Sequence, residues 1–268
     1  MRIKLQQKIG ARIPSMVPKS PIQHSFFSVS SNTYSPFLHS ALYRSPFCII
    51  TTTDAVGGSI TQGVGSSDRN GYRKALYEML RSHHYNVRMV GSRKVGTMQN
   101  NENEGWRGFK IDEIEAKAKK SVNNLLPNLI TLNAGSNDCL QKFNLHNIDQ
   151  RMSGMLDFLW SASPGSTIIL STLLVNADKE TDSRVVAVNQ MLRALVEQKA
   201  AEKRRIVLAD MYTADGPGLG DLGDDGIHPG DDGYMKMAAI WFQSIQEASM
   251  KGLIQESKTR DISKILEI

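Results

Sequence analysis

The feature that most constrains the fold is a regular alternation of short apolar runs with longer amphipathic segments. Five runs have the length and composition of buried strands: 47–50, 86–92, 128–135, 166–174 and 204–211. Segments between them carry apolar residues at helical spacing, as at Val185, Val188, Leu192, Leu195 and Val196. Strands that alternate with helices form βα units around a parallel sheet. The sequence therefore predicts an α/β fold, a three-layer α/β/α sandwich with a five-stranded parallel sheet.

This pattern predicts one domain over residues 47–255, without internal repeats, and a C-terminal tail over 256–268. Residues 1–46 are rich in Ser and Pro, contain no Asp or Glu, and show no sustained periodicity. We expect this leader to be disordered, because it has no apolar face to bury. Its composition is that of an organellar transit peptide, and it lacks the apolar central stretch of a secretory signal. A disordered leader, a transit peptide and an unreliable start of the sequence stay open as interpretations.

The distribution of charge argues against a nucleic-acid partner. Residues 1–53 hold six of the 32 Lys and Arg residues and none of the 27 Asp and Glu residues, which leaves 26 positive and 27 negative charges in the remainder. The body of the protein thus has no basic footprint for a polyanion. No apolar stretch approaches the roughly 20 residues that cross a bilayer. We expect a monomer, with Cys48 and Cys139 as ordinary buried thiols.

Four glycine-rich loops follow predicted strands: "GGSITQG" (57–63), "NEGWRGF" (103–109), "GSND" (135–138) and "DLGDDGIHPGDDGY" (221–234). The carboxyl ends of parallel strands meet at one edge of a sheet, where ligands bind. Taken singly, each motif is typical of a turn, a linker or a helix cap. Taken together and in this order, they predict one site that contains a serine, an asparagine, an aspartate and a histidine.

The residue types in these loops suit acyl transfer. A serine hydroxyl becomes a nucleophile when a neutral imidazole accepts its proton and a carboxylate orients the imidazole. Asp225 and His228 lie three residues apart, close enough to share one tight loop, and Ser59 is the candidate nucleophile. Preorganised donors must stabilise the oxyanion of the intermediate. The backbone N–H groups of Ser59 and Gly108 and the side chain of Asn137 are the candidates.

The quoted motifs resemble the four sequence blocks of the SGNH, or GDSL-type, hydrolase superfamily, in order and over roughly residues 55–250. The runs "GSNDC", "PGSTIILSTLL", "IVLADM" and "DGIHPGDDGYMKMAAIWF" are most similar to its branch of carbohydrate acetyl esterases of the acetylxylan type. The resemblance implies a flavodoxin-like sheet, the triad Ser59, His228 and Asp225, and an oxyanion hole from Ser59, Gly108 and Asn137. It implies no metal and no organic cofactor.

The expected function is hydrolysis of a small O-acyl ester on a carbohydrate, with acetyl as the acyl group. Two alternatives stay open. One is a non-catalytic carbohydrate-binding or interaction module, and the other is a lysophospholipase or longer-chain esterase. The chain departs from the family pattern at Gly58, where the family has Asp, and in its first strand, which contains Asp54 and three threonines. The resemblance suggests secretion, whereas the leader shows no secretory signal, so the compartment is left undecided.

Three further residues lie in or beside these motifs. Trp106 and Phe109 either line the substrate mouth or pack inside the protein. Asp138, next to Asn137, is interpreted as a structural hydrogen-bonding group.

Overall fold

The computed structural model of the chain describes residues 50–257. The predicted leader (1–46), Cys48 and most of the predicted tail (258–268) lie outside the described residues. The domain boundaries at 47 and 255 therefore stay predictions.

Strands and helices alternate along most of the described chain. The strands are β1 (Ile50–Gly57), β2 (Asn86–Val90), β3 (Arg93–Lys94), β4 (Glu102–Gly105), β5 (Leu129–Asn133), β6 (Thr167–Ser171) and β7 (Ile206–Ala209). The helices are α1 (Ser59–Gln62), α2 (Tyr72–Ser82), α3 (Ile111–Leu125), α4 (Ser136–Gln141), α5 (Ile148–Ala162), α6 (Lys179–Ala201) and α7 (Asp231–Met250). Short 3-10 turns cover Leu145–Asn147 and Leu219–Asp221.

Five strands form the predicted parallel sheet, in the order β2–β1–β5–β6–β7. Numbered among themselves these strands run 2-1-3-4-5, which is the flavodoxin-like order. The register between β1 and β5 pairs Thr53 with Leu129 and Gly57 with Asn133. The α/β class and the parallel core of the prediction are confirmed.

The predicted strand count of five is too low, because the sheet has seven strands within residues 50–257 alone. β4 pairs in parallel with the end of β1, through Val56–Glu104 and Gly57–Gly105, and β3 pairs antiparallel with β4. β3 is two residues long, and β4 is four residues long with the sequence "ENEG". A strand that short and polar has no apolar alternation, so its sequence carries no strand signal.

The core lies in two layers, one on each face of the sheet. One face is covered by α3, α5 and α6, and the other by α2 and α7. The predicted apolar stripe of α6 is confirmed, since every member is at most 7% exposed: Val185, Val188, Leu192, Leu195 and Val196. On the opposite face Trp241 of α7 is fully buried and its ring centroid lies 5.6 Å from that of Tyr72.

The central strand β1 is polar although it is buried. Thr51, Thr52, Thr53 and Asp54 are each at most 1% exposed. Neither carboxylate oxygen of Asp54 has a hydrogen-bond partner among residues 50–257. Burial raises the pKa of Asp54 well above its ordinary value, and the nearby charge of Glu104 adds to the shift. The native fold thus favours the neutral carboxylic acid at this position.

Between residues 50 and 257 none of the helices is both long and apolar enough to cross a membrane.

Candidate active site

Ser59 lies in a sharp turn that joins the central strand to a short helix. β1 ends at Gly57 and α1 begins at Ser59. A Cβ atom on Gly57 would lie 2.2 Å from the backbone oxygen of Asn133, a separation at which only glycine fits. The close approach of β1 and β5 therefore explains this glycine. The turn places Ser59, which is 9% exposed, at the carboxyl edge of the sheet.

The structure brings Ser59, His228 and Asp225 into one chain of hydrogen bonds. His228 Nε2 lies 2.7 Å from Ser59 Oγ, and His228 Nδ1 lies 2.6 Å from Asp225 Oδ2. With the Nδ1–H tautomer, the ring donates to the carboxylate and Nε2 accepts from the serine hydroxyl. This is the arrangement in which a serine can lose its proton to an imidazole.

The carboxylate of Asp225 is held in its charged form. Its Oδ1 atom accepts the backbone N–H groups of Ile227 and His228, each at 2.9 Å. Partial burial opposes ionisation, but the hydrogen bonds from the His228 backbone and ring and from Ile227 lower the pKa of Asp225 to about 2. Asp225 is consequently ionised at any pH at which an imidazole is neutral.

The loop that carries Asp225 and His228 is braced by a neighbouring loop. Gly226 has a φ of +65°, a conformation that favours glycine, and a Cβ atom here would lie 2.5 Å from Ala177 Cβ. The Ala177 N–H donates to the Gly226 carbonyl at 2.9 Å. The Gly223 N–H donates to the His228 carbonyl at 2.8 Å. These contacts fix the backbone on both sides of the histidine.

The segment after β4 forms a tight turn beside the serine. The Phe109 N–H donates to the Trp106 carbonyl at 3.3 Å and Gly108 has a φ of +81°, features of a type II turn, whose third residue favours glycine. The Trp106 N–H donates to the Gly57 carbonyl at 2.9 Å. The turn that carries Gly108 is thus tied to the loop that carries Ser59.

Asn137 lies near the start of α4, after β5, with its side chain beside both loops. Its Nδ2 donates to the Phe109 carbonyl at 3.0 Å. A Cβ atom on Gly58 would lie 3.5 Å from the same nitrogen. A side-chain amide has two N–H donors, and the Phe109 carbonyl engages one of them. The second can serve an oxygen of a bound ester.

A small, open cleft lies beside these residues. Its lining comes from residues at or just after the ends of β1 and β5, from the turn after β4 and from the helices α1, α3 and α4: Gly58, Ser59, Ile60, Phe109, Ile114, Asn133, Ala134, Gly135, Ser136 and Asn137. Ser59 and Asn137 therefore face one space. Gly108 is exposed and is not among the lining residues. Its predicted role depends on its place next to Phe109, which does line the cleft.

The two aromatic residues near the site stack, with ring centroids 5.7 Å apart, but they have different surroundings. Phe109 lines the cleft, whereas Trp106 does not. The Trp106 ring lies 4.2 Å from Lys117 Nζ and 4.5 Å from Arg93 Cζ, measured to its centroid. Its Nε1 donates to the buried Glu104 carboxylate at 3.0 Å. Of the two interpretations, packing fits Trp106 and a position at the cleft fits Phe109.

Asp138 is hydrogen-bonded, as interpreted from the sequence, but its main partner gave no sequence signal. Its Oδ2 accepts the backbone N–H of Ile111 at 3.1 Å, and its Oδ1 lies 2.7 Å from Arg151 Nη2. Burial raises the pKa of Asp138 above its ordinary value, although the contacts with Arg151 and Ile111 oppose the shift. Arg151 belongs to no motif in the sequence and reaches this site only through the packing of α5.

Two observations concern metal and thiol chemistry. In the part of the chain that the structure describes, no three His, Cys, Asp or Glu residues lie together as a metal-binding group. Cys139 is buried, and burial raises its pKa to about 12. A thiol of that pKa stays protonated at neutral pH, so Cys139 is inert as a nucleophile.

The fold is shared with solved carbohydrate esterases. A family 3 carbohydrate esterase of Clostridium thermocellum superposes with a TM-score of 0.69 at 24% identity, covering 77% of this chain and 100% of that one. A family 3 carbohydrate esterase of Talaromyces cellulolyticus gives 0.65 at 22% identity, covering 75% and 99%. At such identities the likeness concerns the fold.

Sequence comparisons extend the likeness. A multidomain esterase of Ruminococcus flavefaciens is 24% identical over 220 residues, which are 71% of this chain and 28% of that protein. This chain thus matches little more than a quarter of that relative. The family model described as GDSL-like lipase/acylhydrolase matches residues 55–236. This confirms the superfamily resemblance: the chain belongs to the GDSL-like lipase/acylhydrolase family, a family of acyl ester hydrolases.

Proposed function

We propose that this protein is a serine esterase that removes a small acyl group, acetyl, from a hydroxyl group of a carbohydrate. The observation that carries the proposal is the hydrogen-bond chain from Ser59 through His228 to Asp225 beside a small cleft. A buried imidazole held between a hydroxyl group and an ionised carboxylate is the arrangement that lets a serine lose its proton and attack an ester.

In the proposed first half-reaction, Ser59 Oγ attacks the ester carbonyl carbon while His228 Nε2 takes the hydroxyl proton. The carbonyl π electrons move to oxygen and form a tetrahedral oxyanion. When the oxyanion collapses, the bond to the sugar oxygen breaks and His228 returns its proton to that oxygen. The sugar alcohol leaves, and an acetyl ester of Ser59 remains.

In the second half-reaction, water attacks the acetyl-enzyme. His228 takes a proton from the water and gives it to Ser59 Oγ as the acyl–oxygen bond breaks, which releases acetic acid and restores the enzyme. Asp225 stabilises the imidazolium in both halves without taking up the proton. Its strong hydrogen bonds with His228 suit this role.

Three donors are proposed for the oxyanion: the backbone N–H groups of Ser59 and Gly108 and Nδ2 of Asn137. The Phe109 carbonyl anchors Asn137 at 3.0 Å, and the Gly57 carbonyl anchors the turn of Gly108 through the Trp106 N–H at 2.9 Å. Donors held in advance need no reorganisation as charge develops, which is why they lower the barrier.

The proposed acyl group is acetyl because the cleft is small. The side chains of Phe109 and Ile114 line it and would limit a longer chain. A carbohydrate as the alcohol half is proposed by analogy with the family 3 carbohydrate esterases that share the fold.

The test is hydrolysis of 4-nitrophenyl acetate and of acetylated xylo-oligosaccharides, compared with 4-nitrophenyl octanoate. We expect turnover of both acetates, weak turnover of the octanoate, and loss of all activity in Ser59→Ala. Ser183→Ala is the matched control, because its hydroxyl is exposed on α6 and donates only to the Lys179 carbonyl.

Each unfavourable outcome has a distinct meaning. Activity that survives in Ser59→Ala would overturn the mechanism. Acetylated sugar bound without turnover would support the non-catalytic module, and preference for the octanoate would support the longer-chain esterase.

A further inference from the structure

We propose that Asp138 and Arg151 are positioning residues that hold the two halves of the oxyanion hole at a fixed separation. The inference rests on the proposed function, because it gives these residues a role in stabilising the oxyanion. Neither residue lines the cleft, so neither is assigned a contact with substrate.

Two consecutive residues of α4 clamp the segment that follows Gly108. Asn137 Nδ2 donates to the Phe109 carbonyl at 3.0 Å, and Asp138 Oδ2 accepts the Ile111 N–H at 3.1 Å. These two hydrogen bonds, here called the clamp, hold Phe109 and Ile111, which are the first and third residues after Gly108. Movement of Asn137 relative to Gly108 requires at least one of these hydrogen bonds to break.

Arg151 supplies the charge that makes the clamp stable. Asp138 is fully buried, and the Arg151 side chain is only 10% exposed. Arg151 Nη2 lies 2.7 Å from Asp138 Oδ1, and its Nε donates to Asp112 Oδ1 at 2.8 Å. A buried carboxylate without a partner is strongly unfavourable, so removal of one member leaves the other uncompensated. Arg151, on α5, therefore joins α4 to the first turn of α3.

The clamp affects catalysis because the hydrogen-bond donors of the oxyanion hole lower the barrier only when they are held at the correct positions. A displacement of about 1 Å in a catalytic group can cost about a hundredfold in rate. A loosened clamp would leave ground-state binding nearly intact, since a neutral ester carbonyl makes weaker hydrogen bonds than an oxyanion. The expected effect thus falls on kcat and on the binding of tetrahedral inhibitors.

The experiment compares three variants of the full chain with the wild type. Asp138→Asn removes the charge that faces Arg151, and Arg151→Lys keeps a charge but loses the planar fork that reaches two carboxylates. Asp157→Asn is the matched control, because Asp157, also on α5, pairs with the buried Lys199 at 2.9 Å. Lys199 lies near the end of α6, away from the loops of the candidate site.

Four quantities are measured for each protein: kcat and KM on 4-nitrophenyl acetate, the inhibition constant of a boronic acid, and the melting temperature. A boronic acid becomes a tetrahedral anion when it bonds to a serine oxygen, so its affinity reports on the oxyanion hole. Acetate serves as a planar inhibitor for comparison.

We expect Asp138→Asn to lower kcat about tenfold to a hundredfold, with KM changed by less than about threefold. Boronic acid affinity should fall by a similar factor, acetate affinity should not, and Arg151→Lys should show a smaller loss of the same kind. Asp157→Asn should lower the melting temperature and leave kcat unchanged.

A lowered melting temperature with unchanged kcat in Asp138→Asn would make the ion pair merely structural and overturn the inference. An equal fall of kcat in Asp157→Asn would also overturn it, because the effect would then be general. If Asp138→Asn does not fold, Arg151→Lys decides between the same outcomes.

If the wild type shows no hydrolysis that depends on Ser59 and binds no boronic acid, the proposed function fails and the inference fails with it. Hydrolysis that depends on Ser59, with kcat unaffected in both clamp variants, overturns the inference alone.

Discussion

His228 Nε2 lies 2.7 Å from Ser59 Oγ, although 169 positions separate the two residues in the chain. Ser59 follows the central strand β1, and His228 follows β7 at the far side of the sheet. A long loop after β7 spans this distance, and Ala177, in the loop after β6, braces it by donating its N–H to the Gly226 carbonyl. The loop after β7 thus crosses the edge of the sheet and brings His228 to Ser59.

The first prediction is that Ser59, His228 and Asp225 act as one unit. Ser59→Ala and His228→Ala should each remove most of the rate, on the order of 10⁶-fold in kcat, and the double variant should lose little more. Asp225→Ala should cost less, on the order of 10⁴-fold, because His228 can still accept a proton in a poorer orientation. The measurement is a kinetic cycle on an acetyl ester, with the fold checked by circular dichroism. Strictly additive losses would contradict this prediction.

The second prediction concerns pH. Only a neutral imidazole acts as a base, so kcat/KM should fall as pH drops and the imidazole takes up a proton. Because the pKa of Asp225 is about 2, the carboxylate keeps its charge while the imidazole becomes protonated. The acid limb of log kcat/KM should therefore have a slope of one. A slope of two, measured while circular dichroism shows an intact fold, would mean that a second group of the site takes up a proton.

Apolar runs in the sequence predicted most strands of the parallel core, and the order of the motifs predicted that Ser59, Asp225 and His228 lie at one edge of the sheet, where the structure joins them by hydrogen bonds. β3 and β4 could not be predicted, because a two-residue strand and the polar segment Glu102–Gly105 depend on pairing with β1 rather than on their own pattern. Tertiary context overrides such weak local signals.

The residues that surround and position the candidate site could also not be predicted from the sequence. Arg151 lies on α5 without any motif, and only helix packing brings it to Asp138. Trp106 and Phe109 are nearly adjacent and chemically alike, so their sequence could not separate their roles. In the structure their rings stack with centroids 5.7 Å apart, and only Phe109 lines the cleft.

The third prediction is that Asn137→Ala acts mainly on kcat. The side-chain amide should bind the oxyanion more strongly than the neutral carbonyl, so its loss should cost about 10²-fold to 10³-fold in kcat. Asn137→Asp provides a comparison of similar shape in which a negative charge replaces the donor, and it should lose more. Steady-state kinetics on 4-nitrophenyl acetate give both constants. An unchanged kcat with a raised KM would assign Asn137 to substrate binding instead.

The fourth prediction is that Gly58→Asp stabilises the serine loop and leaves the mechanism intact. Gly58 has a φ of −90° and a ψ of −146°, so its φ lies outside the left-handed region that favours glycine, and a Cβ atom here meets Asn137 Nδ2 at an ordinary contact distance of 3.5 Å. Replacing glycine at a compatible position lowers the entropy of the unfolded chain, a gain of about 0.4–1 kcal/mol. An Asp before α1 can also accept a backbone N–H of the first turn.

Differential scanning calorimetry of Gly58→Asp and Gly58→Ala tests this stabilisation. A rise of about 1–4 °C in Tm is expected for a domain of this size. A rise in both variants would identify backbone entropy as the cause, and a rise in Gly58→Asp alone would identify the carboxylate. Lower melting in both would mean that the loop needs glycine at this position.

The last prediction concerns the buried carboxyl group of Asp54. Burial and the charge of Glu104 raise its pKa in the folded state, whereas in the unfolded chain it titrates near 3.9. Between these two values the unfolded state binds fewer protons than the folded state, so the free energy of unfolding falls as pH rises, by up to about 1.4 kcal/mol per pH unit. Asp54→Asn removes this titration, so the stability of this variant relative to the wild type should increase as pH rises above about 4.

Urea unfolding of both proteins at several pH values measures the difference, with Glu197→Gln as a control because Glu197 is exposed on α6. A difference that does not change with pH would show that Asp54 titrates alike in the folded and unfolded states.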